Sequence, residues 1–154
     1  MSQIDQALHD SYIAEQQVIG ALGINHEAIN LIQADLKPEM FSNAILGEVY
    51  SIIIESIEDG EDFDLVSISR DVKARRDFIA EDVDAEITEA FRSSVYSTAI
   101  EKHAETVRKC YAIRLLHKEF LRMNNDGADP LEIFGELTDK LYGVTEKTKS
   151  CESD

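Results

Sequence analysis

Between Thr98 and about Met123 the apolar residues change sides of a single helix. At about 100° per residue, Ile100, Ala104, Val107, Tyr111 and Leu115 form one stripe. Ile113, Leu116, Phe120 and Met123 form a second stripe on nearly the opposite side. A helix that only covers its own domain keeps one stripe. The switch around Tyr111 to Leu115 therefore predicts a helix that packs on a domain with its first half and runs past it with its second.

The stretch that follows, NNDGADPLE, is dense in helix-start signals: Gly127 for a turn, Asp129 as N-cap, Pro130 at N1 and Glu132 at N3. Beyond it Ile133, Phe134, Leu137, Leu141 and Val144 align on one face. Two helices joined by so short a loop predict an antiparallel hairpin. A lone two-helix hairpin cannot bury much apolar surface. The expected partner-binding set is therefore Ile113, Leu116, Phe120, Met123, Ile133, Phe134, Leu137, Leu141 and Val144.

Upstream, the same helical period recurs. In YIAEQQVIGAL, Ala14, Val18, Ala21 and Leu22 share a face, although Gly20 inside that helix costs about 0.8–1 kcal/mol relative to Ala. EAINLI predicts a short helix closed before Lys37-Pro38. Ser42 is the expected N-cap of the next helix, which turns Ile45, Val49, Ile52, Ile53 and Ile57 inward and stops near Gly60. Asp64 is expected to cap another, with Leu65, Ile68 and Val72 inward. A short helix is expected over Ala85 to Phe91. The isoleucine run Ile52 to Ile54 lies inside a longer helical period and is not read as a strand. The expected fold is all-α: a small helical bundle over 1–96, an antiparallel helical hairpin with a linker-like helix over 97–149, and a disordered tail over 150–154.

Charge and motif content narrow the function. Thirty-one acidic residues face 15 basic ones, a formal net charge of −16. Tight nucleic-acid binding draws on clustered Lys and Arg, so none is expected from the chain as a whole. The basic residues concentrate in one helix, as Lys102, Arg108, Lys109, Arg114, Lys118 and Arg122. No phosphate-binding G-x-x-x-x-G-K-[ST] loop occurs, and His9, His26, His103 and His117 make no metal-ligand pattern. The acidic run Glu58 to Asp64 fails the EF-hand spacing. No nucleophile, base and orienting group assemble, so neither an enzyme nor a cofactor is expected. Cys110 and Cys151 lack redox or metal spacing, and no signal peptide or spanning run is present, which points to a reduced, cytoplasmic protein with no membrane partner.

Several segments together resemble a known family. AEQQVIGAL is similar to the first helix of the N-terminal domain of bacterial replicative helicases, the DnaB family, through Ala14, Glu15, Gln16, Val18, Ile19, Gly20 and Leu22. Phe41, Val49, Tyr50 and Ile53 fall where that family has F-x₇-I-F-x-x-I. GEDFDLVSI resembles its G-x-x-[IV]-D-x-[IV]-[TS]-[LV] through Gly60, Asp64, Val66, Ser67 and Ile68. HAETVRKCYAIR matches through Ala104, Val107, Arg108 and Arg114, and ELTDKLYGVTEKT resembles the helix closing the family's linker region. The resemblance covers about residues 12 to 148. Leu46 stands where the family has a histidine, and the Gly-Gly before the long helix is absent.

The resemblance implies close helix packing around Gly20. It also implies a domain that forms a ring collar, pairs its hairpins head to head and receives primase or loader proteins. The chain ends where the family's ATPase domain would begin, which implies either a free-standing protein that is no helicase motor or the severed domain of an ordinary helicase. The expected role is a protein-interaction module of DNA replication. It would act as a homo-oligomer that docks a replicative helicase, primase or helicase loader, as in a phage or mobile-element regulator or loader of a host helicase. The alternative is an acidic DNA-mimic inhibitor of a DNA-binding protein.

Overall fold

A computed structural model describes residues 2–93 and 99–152, with 142–152 as backbone alone. Among the described residues every regular element is helical. The α-helices are α1 (Gln3–Ile24), α2 (Ala44–Glu58), α3 (Leu65–Arg75), α4 (Ala80–Ser93), α5 (Ile100–Asp126) and α6 (Pro130–Glu152). The expected domain boundary at 96/97 lies outside the described residues. α6 carries helical backbone to Glu152, through the first residues of the expected tail.

Local chemistry accounts for most of the ends. The Ser2 hydroxyl accepts from the Asp5 N–H at the start of α1. Asp64 caps α3 in a reciprocal box with Ser67: the Ser67 N–H donates to the Asp64 carboxylate at 2.7 Å, and the Asp64 N–H donates to the Ser67 hydroxyl at 3.0 Å. Gly60 and Gly127 take left-handed backbone (φ 68° and 65°) just past α2 and α5, where a side chain would be strained. EAINLI forms a 3-10 turn over His26–Leu31, opened by the Asn25 side chain, which accepts from the Glu27 N–H. Lys37 is extended ahead of Pro38, as the proline ring demands.

One cap differs from expectation. Asn43, not Ser42, caps α2, its side-chain oxygen accepting from the Leu46 N–H at 3.0 Å. Ser42 is occupied elsewhere. Its N–H and hydroxyl both donate to Glu15 Oε2, at 3.1 and 2.6 Å, while the Asn43 N–H donates to Oε1 at 2.9 Å. Glu15 is fully enclosed on α1, where Ser11 also donates to it. A buried carboxylate is tolerable only when so satisfied, and this one pins the turn before α2 to the middle of α1.

α1 is the spine of the bundle. It packs chiefly along α5, then α4, then α2. Its inward face, Ala14, Val18, Ile19, Ala21 and Leu22, meets Val49, Ile52 and Ile53 of α2, Ile68 and Val72 of α3, and Val83, Ile87 and Ala90 of α4 in one cluster. Each large aliphatic side chain so enclosed contributes about 1.5–3 kcal/mol. α4 begins five residues before the expected Ala85, because Glu81 and Asp82 favour a helix's positive N-terminal end.

Gly20 is buried, and three residues later Gly23 meets a side chain of α4. A Cβ on Gly23 would lie 2.5 Å from Phe91 Cδ1 and Cε1, so an alanine there requires the Phe91 ring of α4 to shift.

Candidate association site

The two halves of α5 have different surroundings. Ile100, Ala104 and Val107 are enclosed against the bundle. Tyr111 and Leu115 are half-buried at its margin. Past that point Ile113, Leu116 and Phe120 are 42, 50 and 55 % exposed.

α6 lies back along α5, held by ions. The Glu119 carboxylate is only 2 % exposed; its Oε2 accepts from Arg122 Nη1 at 2.7 Å and its Oε1 lies 3.8 Å from Lys140 Nζ. Arg122 also donates to Glu136 at 2.8 Å and holds that carboxyl below its ordinary pKa. Since 122 pairs with 136 and 119 with 140, the two helices run in opposite senses through this stretch. Ile133 is sealed at 2 % and belongs to this internal seam, so it offers no surface to a partner. Leu137, Leu141 and Met123 are half-buried at its edge, and Phe134 is 71 % exposed beside it. The Val144 side chain lies outside the described residues.

The result is a two-sided pair of helices. One side is a largely apolar groove of about 500 Å³, walled by Ile113, Leu116, Phe120 and Met123 of α5, Leu137 of α6 and Ile4 of α1, with Gln3, His117 and Glu119 as its polar members. The other is a polar cleft where Lys37 and Glu39 of the bundle face Lys118, Asp139 and Lys140. Sequence periodicity missed Gln3 and Ile4, because nothing within α1 signals that its first turn reaches α5 more than a hundred residues later. It also missed Glu119, whose burial depends on Arg122 and Lys140 arriving from two helices.

Half of the basic residues of α5 are engaged within the fold, while Lys102, Lys109 and Lys118 are exposed. Arg108 is buried beside Asp35 at 3.9 Å. Arg114 donates to the Met40 carbonyl at 2.9 Å and stacks over Tyr111, 5.5 Å from its ring centroid. With Arg122 spent on Glu119 and Glu136, half of the cations hold the fold rather than face a polyanion. Among the described residues, no group of His, Cys, Asp and Glu converges to hold a metal ion, and no helix is long and apolar enough to cross a membrane.

Residues 7–109 match the profile of the DnaB-like helicase N terminal domain. The chain belongs to that family. A search of curated proteins found no match. The DnaB-like match covers α1 through the first part of α5, so the bundle is the family's domain. The second half of α5 and all of α6 lie beyond it and carry the exposed apolar groove.

Proposed function

We propose that this DnaB-like domain is a protein-interaction module of DNA replication. It pairs with a second copy of itself and docks a replicative helicase, primase or helicase loader, as a regulator or loader would. The observation that carries this reading is the apolar groove on the α5–α6 pair, with Ile113, Leu116 and Phe120 between 42 and 55 % exposed. Contiguous apolar surface of this kind on a small chain marks an interaction site. The family supplies the replication context. The antiparallel sense of the pair supports a hairpin that meets its equivalent in another subunit. The strong negative charge opposes direct contact with DNA and leaves protein contacts as the working surface.

The test is co-purification with the host's helicase, primase and loader, each added pure, using wild type and Phe120→Glu. The expected result is retention of at least one of the three by wild type and its loss with the variant. Failure of all three to bind wild type, or equal retention by both chains, contradicts the docking.

A further inference from the structure

We infer that the groove between α3 and α4 is a separate docking surface for an acidic amphipathic helix of a partner protein. Apolar side chains of that helix pack against Leu65 and Val66, and one of its carboxylates pairs with Arg70. The groove shares no residue with the apolar groove on the α5–α6 pair, and the inference does not depend on the role of that pair.

α3 sorts its residues into distinct rows. Ile68 and Val72 are sealed in the core. Leu65, Ser69 and Lys73 recur every four residues and form the row beside Asp84 of α4. Val66 and Arg70, also one turn apart, form an outer row. Together they line a recess of about 430 Å³. Val66 is 73 % exposed there, an aliphatic side chain that contributes nothing to the bundle core.

Charge identifies the occupant. On a chain of net charge −16, α3 and its C-cap carry Arg70, Lys73, Arg75 and Arg76. Three of these cations pair with neighbouring helices: Lys73 with Asp84 of α4 at 2.9 Å, Arg75 with Glu55 of α2, and Arg76 with Glu48 of α2 at 3.8 Å. Among the described residues, Arg70 is the one cation of α3 without a partner on another helix. Its Nε reaches the adjacent Asp71 at 3.3 Å, and its side chain is 73 % exposed. Its two terminal nitrogens are thus free to form the fork that a carboxylate accepts. Asp84, across the recess, does not compete for them. The Ser69 hydroxyl donates to it at 2.5 Å and Lys73 at 3.1 Å, and both hold its carboxyl below its ordinary pKa.

A polyanion is a poor fit. Asp64 at the N-cap of α3, Asp71 beside Arg70 and Asp84 in the wall would repel successive phosphates. A single carboxylate set among apolar side chains meets Arg70 and an apolar recess at once. An amphipathic helix laid in a groove presents that pairing along one face.

The probe is a fluorescein-labelled, stapled synthetic helix with leucine at i, i+3, i+4 and i+7 and glutamate at the flanking positions. A counterpart carries lysine in place of each glutamate. Fluorescence anisotropy is read with the full-length chain as wild type, Arg70→Glu, Arg70→Gln, Val66→Asp and Phe120→Glu, and circular dichroism melts check that each is folded. Wild type is expected to bind the acidic helix at roughly tens of micromolar or tighter. Arg70→Glu is expected to weaken that binding at least about tenfold and to gain affinity for the basic counterpart, because like charges now face one another. Arg70→Gln and Val66→Asp should each weaken it several-fold, so the loss of one variant to misfolding leaves the site tested. Phe120→Glu should bind as wild type does. No binding by wild type, or equal binding by wild type and Arg70→Glu, overturns the inference. Loss of binding in Phe120→Glu also overturns it, by moving the probe to the α5–α6 groove. A labelled oligothymidine that binds wild type and is released by Arg70→Glu makes the surface a nucleic-acid site instead. A mass in light scattering that falls with Arg70→Glu makes its occupant a second copy of the chain, which likewise contradicts the assignment.

Discussion

Ser42 gives both its backbone N–H and its hydroxyl to one oxygen of Glu15, at 3.1 and 2.6 Å, across 27 residues of chain. Asn43 then donates to the other oxygen at 2.9 Å. The carboxylate thus acts as the partner of a turn that no helix could satisfy. It decides where α2 begins and which face of α2 meets α1.

Removing that carboxylate leaves the half-buried Ser42 and Asn43 donors without the partner they have on α1. Glu15→Ala is expected to destabilise the chain by about 3 kcal/mol, within the range for lost hydrogen bonds to a buried charge. For a domain of this size that lowers the melting temperature by roughly 6–12 °C. Ser42→Ala should cost less, because its N–H bond survives. Thermal melts followed by circular dichroism check both values, and a Glu15→Ala chain as stable as wild type contradicts the account.

Close packing between α1 and α4 gives a second expectation. A Cβ at Gly23 meets the Phe91 ring at 2.5 Å, so Gly23→Ala is expected to cost about 1–3 kcal/mol despite alanine's better helix propensity. Phe91→Leu should relieve the clash. The double variant is then expected to be more stable than the sum of the two single effects predicts, measured as a double-mutant cycle by denaturant unfolding.

These two cases show what the sequence could and could not tell. Ile45, Val49, Ile52 and Ile53 were legible as an inward face because their burial follows from a local period, and all four are 9 % exposed or less. Asp64 was legible as a cap because its partner Ser67 is three residues away. Ser42 does not cap α2 because its competing partner, Glu15, sits on another helix, and the neighbouring Asn43 takes the cap instead. In the candidate site the exposure of Ile113, Leu116 and Phe120 follows from the switch of sides along α5. The burial of Ile133 and Glu119 was not, because it depends on how α6 lies on α5. The part played by Ile4 depends on the third helix, α1, and left no local trace.

The seam between α5 and α6 is held by charge and should respond to it. Arg122→Ala leaves Glu119 enclosed with Lys140, 3.8 Å away, as its one opposite charge among the described residues. Amide exchange in α6 is expected to rise while exchange in α1 and α2 stays unchanged, as read by hydrogen–deuterium exchange mass spectrometry. Acid should act in the same direction. Arg122 lowers the Glu136 pKa, so its contribution is present above the ordinary value of 4.5 and is lost as pH falls through the lowered one. Protection in α6 that survives both treatments contradicts this reading.

Alkali should act on the bundle. Burial, and then the hydrogen bond to Glu86 at 2.7 Å, push the Tyr12 phenol up to about 12 from an ordinary 10.0. Burial also raises Tyr50, whose hydroxyl donates to the Leu36 carbonyl at 2.9 Å. Because the folded chain keeps these protons while the unfolded chain loses them, stability is fully present below pH 10.0 and falls as pH rises toward about 12. Tyr12→Phe should lessen that fall. Denaturant unfolding across this pH window, beside a tyrosinate absorbance titration, checks both the sign and the residue.

The central claim is that the apolar side of the α5–α6 pair is an association surface, and the mass of the chain in solution tests it most directly. Multi-angle light scattering at roughly tens of micromolar, the scale on which weak dimers assemble, is expected to give a dimer or higher oligomer for wild type. Phe120→Glu, at a position 55 % exposed and therefore harmless to the core, is expected to give a folded monomer. A wild-type monomer at that concentration, or a Phe120→Glu chain that keeps the wild-type mass, contradicts the claim.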